Sequence, residues 1–203
     1  MRAFHSLIGA LVLLMLCSTG AAAQPDPEIW RRGTTLNVFG GAAFNGEPAP
    51  LIGAGLGWEI VPRLSVEGSG AWLGERQGVG GFSADVRALF PLVTARPVAP
   101  FLAAGVGLHR ATFDRAAEMP EFYRHRLAGS PERVGRYASF TDPTLVFGGG
   151  VDLFVTRALA VRPDLTAAVL LRDGRTRTAV TAAVHLAYHF EEHLVVPARR
   201  ARR

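Results

Sequence analysis

Between Thr178 and Phe190 the residues alternate without a break. Thr178, Val180, Ala182, Val184, Leu186, Tyr188 and Phe190 share one parity. Ala179, Thr181, Ala183, His185, Ala187 and His189 share the other. Side chains point to opposite faces along a strand, so this stretch has one apolar face and one small or polar face. The run is longer than a soluble edge strand needs. It fits a tilted strand crossing a bilayer, with lipid on one side and a polar lumen on the other.

The same period recurs in seven earlier segments. The first, about Thr34 to Phe44, turns Leu36, Val38, Gly40, Ala42 and Phe44 one way and Thr35, Asn37 and Gly41 the other, with Phe39 interrupting the polar side. Leu51 to Ile60 sets Ile52, Ala54, Leu56, Trp58 and Ile60 against Gly53, Gly55, Gly57 and Glu59. Leu64 to Leu73 sets Leu64, Val66 and Trp72 against Ser65, Glu67 and Ser69, and Gly74 to Gly80 reads as a loop. The next strands are expected at about 81–92, 99–111, 144–155 and 159–171. In 144–155 the outward residues are Leu145, Phe147, Val151 and Leu153.

Asn45-Gly46-Glu47-Pro48 and Asp173-Gly174 carry turn chemistry. The connection from Thr112 to Pro143 is long, charged and aromatic, whereas those near Val61, Thr94 and Thr156 are short. Eight strands of this length predict an all-β fold, an eight-stranded antiparallel transmembrane barrel in up-and-down meander order. Short turns belong on the periplasmic side, so both termini are expected there and the 112–143 connection outside.

Composition agrees with strands rather than helices as the spanning elements. Hydrophobic residues make up 49% of the 203-residue chain, yet no stretch after Cys17 is long enough for a spanning helix. Arg2, the apolar run Leu7 to Cys17 and Ala21-Ala22-Ala23 read as a signal peptide over 1–23. A short periplasmic segment over 24–33, a barrel over 34–190 and a basic tail over 191–203 follow. Cys17 is the single cysteine, so disulfide and thiolate chemistry are excluded from the mature chain. Every basic residue is arginine, and the formal charge of +5 falls to +4 when Arg2 is removed with the signal peptide. The dense basic run Arg199, Arg200, Arg202 and Arg203 lies in the tail, beyond the patterned region, and reads as a solvated tail. No nucleic-acid partner is expected.

The inward faces collect Glu59, Glu67, Asp85, Arg87, Asp152, Arg162 and Asp164. An eight-stranded barrel has an interior just wide enough for side chains to fill, and charges buried singly are costly. A paired polar network plugging the lumen is therefore expected. A narrow gated ion path is the alternative. His109, His185 and His189 also point inward, as do Ser65, Ser69 and Ser83, but no short motif joins a serine to a histidine. No catalytic residue is assigned, and the chain is expected not to be an enzyme. His185 and His189 lie four residues apart on one strand, about 13 Å, too far to share an ion. No metal or cofactor is expected. Trp58, Trp72, Phe90, Tyr188 and Phe190 fall near strand ends on the oily face, as interfacial aromatic girdles do.

Several weak motifs in order carry a family likeness. They are Pro100-Phe101-Leu102-Ala103-Ala104-Gly105-Val106-Gly107, Phe147-Gly148-Gly149-Gly150-Val151-Asp152, Val161-Arg162-Pro163-Asp164-Leu165 and the closing alternation. With the signal peptide, they make the chain resemble the OmpA-like outer-membrane β-barrel domain family over about Thr34 to Phe190. That resemblance implies a small barrel placed in the bacterial outer membrane by an assembly machinery that reads an aromatic residue closing the last strand, here Phe190. In this chain Glu191 to Arg203 follow that aromatic. The length leaves no room for the peptidoglycan-binding domain of some relatives. The expectation is a non-enzymatic integral outer-membrane protein with a structural or surface-interaction role. Its partners would be outer-membrane lipid, the assembly machinery and an extracellular ligand met through 112–143. A small porin is the first alternative, ahead of a lipid-modifying barrel enzyme or a soluble periplasmic ligand-binding barrel.

Overall fold

The computed structural model describes residues 33–44, 48–61, 63–76, 79–93, 97–114, 137–156, 158–172 and 175–190. The expected signal segment 1–23, nearly all of the expected entry 24–33 and the expected tail 191–203 fall outside the described residues. Eight strands follow one another: β1 (Thr34–Phe44), β2 (Pro48–Val61), β3 (Leu64–Arg76), β4 (Val79–Pro91), β5 (Val98–Asp114), β6 (Tyr137–Phe154), β7 (Leu159–Arg172) and β8 (Arg175–His189). Each pairs antiparallel with the next, and β8 pairs with β1 to close the barrel. The described residues contain no helix.

The stagger of the wall can be walked. Thr34 stands opposite Trp58, then Val66, Ala88, Ala104, Phe147, Ala167 and Val180. Val180 stands opposite Phe44, so one circuit returns to β1 ten residues from its start. Strand number and stagger together set the tilt and the bore. With eight strands, the bore admits side chains and little else.

Parity assigns the two faces as the sequence predicts. Leu36, Val38, Leu56, Trp58, Phe90, Leu102, Phe147, Leu186 and Tyr188 are exposed on the outside. Ile52 is 62% exposed and Val106 is 60% exposed, values far beyond those of a soluble core. Inside, Asn37, Glu67, Arg87, Asp152, Arg162, His185 and His189 are buried. Phe39 and Phe101, the two aromatics that break the polar alternation, are buried with them.

The strand ends depart from expectation in four places, and one side chain changes face. The expected loop over Gly74 to Gly80 is mostly strand, because β3 runs to Arg76 and β4 starts at Val79, directly opposite. The long connection is shorter than 112–143. β5 continues to Asp114 and β6 begins at Tyr137, leaving 115–136 outside the described residues. Pairing there is held by an apolar cluster of Ala111, Phe113, Ala138 and Phe140, and by a Thr112–Ser139 hydroxyl contact at 3.1 Å. β2 takes in Pro48 and Pro50, at the end of a strand where a missing N–H costs least. β8 begins at Arg175, opposite Arg172, which brackets the expected Asp173-Gly174 turn. Val151, expected outside, is buried. It faces Pro100 on β5, and the 150–164 and 153–161 pairs bring Pro163 to its other flank.

Two ends of the barrel can now be named. The terminal end carries Gly33, Phe190 and the connections between β2 and β3, β4 and β5, and β6 and β7. The loop end carries the others, including 115–136. At the terminal end the Glu59 amide donates to the Gly33 carbonyl at 3.2 Å, and the Phe190 amide donates to the Thr34 carbonyl at 2.8 Å.

Candidate functional site

The lumen near the terminal end is built around Glu67 of β3, which is 2% exposed. Its two carboxylate oxygens take three donors. Arg87 Nη2 donates to Oε1 at 2.6 Å, and Arg162 Nη1 donates to Oε2 at 2.7 Å. Asn37 Nδ2 donates to Oε2 at 3.1 Å. Arg162 also gives its Nε–H to Asp152 Oδ1 at 2.6 Å, and its guanidinium lies 5.2 Å from the Phe101 ring centroid.

Arg87 reaches across the bore. Its Nη1 meets Thr166 Oγ1 at 3.3 Å and Asp164 Oδ2 at 3.4 Å on β7, and its Nε lies 3.3 Å from Asp85. Ser69 donates to Asp85 at 3.0 Å. His185 Nε2 lies 3.1 Å from Asp164 Oδ2, and its Nδ1 faces Asn37 Oδ1 at 3.2 Å. The Phe39 ring stacks on the His185 imidazole, centroids 4.4 Å apart.

Six of the seven expected lumen charges, Glu67, Asp85, Arg87, Asp152, Arg162 and Asp164, are thus joined in one web of contacts. Glu59 stands at the terminal rim, half-buried and opposite Ser65. Sequence reasoning gathered formal charges and left Asn37 and Thr166 out of the expected network, although they link its members together with His185, which was read as inward. Strand parity was the available signal for both.

Room for these side chains comes from glycine on the neighbouring strand. Thr35, Asn37 and Phe39 of β1 stand opposite Gly57, Gly55 and Gly53 of β2. Asp85 and Arg87 stand opposite Gly107 and Gly105, and Asp164 and Thr166 opposite Gly150 and Gly148. A Cβ at Gly55 would come within 3.0 Å of Asn37 Nδ2. One at Gly107 would lie 2.8 Å from the Asp85 Cβ, and one at Gly150 would lie 2.9 Å from the Asp164 Cβ. Each large polar group therefore occupies volume its partner strand leaves empty.

Ser83, His109 and Asp142 hold directly opposed positions on β4, β5 and β6, a juxtaposition no short motif reveals. A serine nucleophile needs a base within hydrogen-bond reach. Among the described residues no hydrogen bond joins Ser83 to His109. Ser69 bonds to Asp85, His185 faces Asn37 and Asp164, and His189 meets Thr35 at 3.0 Å. No group of three or more metal-ligating side chains gathers among the described residues.

On the outer wall the register separates the five girdle candidates. Trp58, Phe90, Tyr188 and Phe190 lie toward the terminal end, where Tyr188 and Phe190 meet edge to face at 5.0 Å. Trp72 lies toward the loop end, opposite Phe82, an exposed ring that the sequence reading did not single out.

No protein-family model matches the sequence, and no curated protein matches it. Solved structures do. The N-terminal β-barrel domain of Pseudomonas aeruginosa OprF superposes with a TM-score of 0.55 at 14% identity, covering 78% of this chain and 99% of that one. Neisserial surface protein A superposes with a TM-score of 0.57 at 14% identity, covering 77% of this chain and 96% of that one. The fold is that of the small eight-stranded outer-membrane barrels. At this identity the likeness is one of architecture.

Proposed function

We propose that this chain is an integral β-barrel of the bacterial outer membrane, sealed to solutes, with a structural or surface-interaction role and no catalytic one. The observation that carries this reading is the inversion of polarity across the wall. Ile52, Trp72, Val106 and Val184 are more than half exposed outside, while Glu67, Arg87 and Arg162 are almost fully buried inside. In water such a continuous apolar belt would drive aggregation, whereas lipid satisfies it. A closed barrel also leaves no strand edge for lipid to meet.

On this reading the termini are periplasmic and 115–136 joins β5 to β6 outside the cell. That segment carries the contact with an extracellular partner, since such loops hold variable binding chemistry on a rigid frame. The aromatic residues at the two ends form the interfacial girdles. Phe190, closing the last strand, is the feature read by the assembly machinery.

The test is fractionation of expressing cells, with gels of boiled and unboiled samples. Recovery in the outer membrane, with a mobility shift on boiling, is the expected result. Recovery in the soluble periplasmic fraction without detergent would overturn the membrane reading. Steady conductance by the wild-type chain in planar bilayers would overturn the sealed reading and make the protein a small porin.

A further inference from the structure

The oily outer wall has a defined edge on the loop side. On β5 the outward residues run Leu102, Ala104, Val106 and Leu108, then Arg110, Thr112 and Asp114. On β6 they run from Phe147 and Leu145 through Pro143 to Thr141, Ser139 and Tyr137. On β8 Val180 gives way to the exposed Thr178 and Thr176. The inward face reverses as well. Beyond His109 and Asp142 come Ala111, Phe113, Ala138 and Phe140, the buried apolar cluster. Polarity in β5 and β6 therefore changes sides just past Leu108 and Pro143, as expected where lipid gives way to water.

Arg110 stands at this edge. It lies directly opposite Phe82 of β4 and Thr141 of β6, and Phe82 lies opposite Trp72 of β3. Phe82 is eight residues along β4 from Phe90 of the terminal girdle. At about 3.4 Å per residue and a tilt of about 40°, that is about 21 Å along the barrel axis. A row of opposed residues climbs toward the loop end by about 3 Å per strand, given the same tilt. The Arg110 backbone thus lies about 24 Å from the level of Phe90, at the limit of an apolar band about 25 Å tall. Arg110 is exposed, and it is the only outward base among the described side chains of the eight strands. Among the described residues no carboxylate pairs with it. The carboxylates at this rim are Glu75, beside Gly80, and Asp114, four residues along β5.

We propose that Arg110, with the hydroxyls of Thr112, Ser139 and Thr141, binds the phosphate of a membrane lipid in the leaflet at the loop end. This goes beyond the membrane reading and rests on it. A guanidinium matches phosphate with two parallel hydrogen bonds, and at the edge of the oily band it sits at headgroup depth. The Thr112 and Ser139 hydroxyls, 3.1 Å apart, lie one pleat beyond Arg110 and Thr141 on the same outer face. Below the guanidinium, Leu108, Phe82 and Trp72 are exposed on the lipid-facing wall, where acyl chains lie and aromatic rings anchor. A soluble anion would use the polar half of this surface and leave the apolar half uncovered, so the occupant is a lipid. It would sit directly under the β5–β6 hairpin that carries 115–136.

The test is native mass spectrometry of the full mature chain in a neutral detergent. The probes are dimyristoyl phosphatidic acid, dimyristoylglycerol, which lacks only the phosphate, and inorganic phosphate. Wild type is expected to retain phosphatidic acid about tenfold over dimyristoylglycerol, the size of one charge-assisted contact. Arg110→Gln is expected to erase that preference. Arg63→Gln, which removes an exposed base from the β2–β3 turn at the terminal end, is expected to keep it. Thr141→Val is expected to reduce it about twofold, the loss of one neutral hydrogen bond, and carries the expectation should Arg110→Gln fail the heat-mobility assay. Inorganic phosphate in large excess is expected to leave the lipid bound. Retention that ignores the phosphate, persists in folded Arg110→Gln, or falls equally with Arg63→Gln overturns the proposal. Displacement by inorganic phosphate would mark a soluble-anion site and overturn the lipid assignment. Failure of the wild-type chain to show the heat shift would instead sink the membrane reading, on a separate gel.

Discussion

Glu67 binds Arg87 and Arg162 at once, and no other carboxylate in the web binds two arginines. Its removal leaves Arg87 and Arg162 short of their common acceptor inside a bore too narrow for bulk water. Breaking one partner of a buried pair costs about 3–5 kcal/mol. Glu67→Gln is therefore expected to lower the unfolding free energy of the lipid-reconstituted barrel, read from urea titration, by that order, and Asp152→Asn by less, because Arg162 keeps Glu67. Equal effects of the two would count against Glu67 as the centre. Gly55 and Gly150 give an independent reading of the same packing. Gly150→Val places branched carbons against Asp164, and overpacking of this kind costs about 1–3 kcal/mol or more. Refolding yield into vesicles is expected to fall, whereas Gly68→Ala, where an added Cβ meets open space, is expected to leave it unchanged. The six charges of the web share inward parity in the sequence; the primacy of Glu67 was not legible there. Which inward residues meet across the bore depends on the stagger of all eight strands, and no local window contains that.

At the scale of the strand, alternation located the middles and missed the ends. β8 was clearest because thirteen residues alternate without a glycine or proline among them. β6 was hardest, since Thr141-Asp142-Pro143 has turn chemistry, yet Pro143 stands in the ladder opposite Leu108. Long-range pairing of Phe113 and Phe140 overrides the local signal there. The lipid face of β5 offers a decisive substitution. Val106→Arg at mid-strand is expected to cost about 2–4 kcal/mol of unfolding free energy in a bilayer. In water the same exposed position would tolerate it to within about 0.5 kcal/mol. Urea unfolding in vesicles separates the two outcomes. For β8, Phe190→Ser is expected to lower the amount of folded barrel recovered from the outer membrane while leaving refolding of purified chain into detergent intact. Loss of both would make Phe190 a stability residue rather than an assembly signal.

At the scale of the whole barrel, the ion pairs lie behind a continuous wall and are poorly reached by salt. The urea midpoint in molar salt is expected to match that in dilute buffer, and a large drop would mean that solvent enters the charged layer. The wall itself is closed by a pairing that joins the two ends of the chain. Thr35 meets His189 across 154 residues of sequence, and Phe39 lies on His185. Synthesis from the N-terminus delivers Asn37 and Phe39 early and their β8 neighbours last. Until then the first strand has only one flank to lean on, and Glu67 lacks Arg162. The order in which this protein is made is therefore not the order in which it can be finished: the earliest strand to arrive waits for the latest.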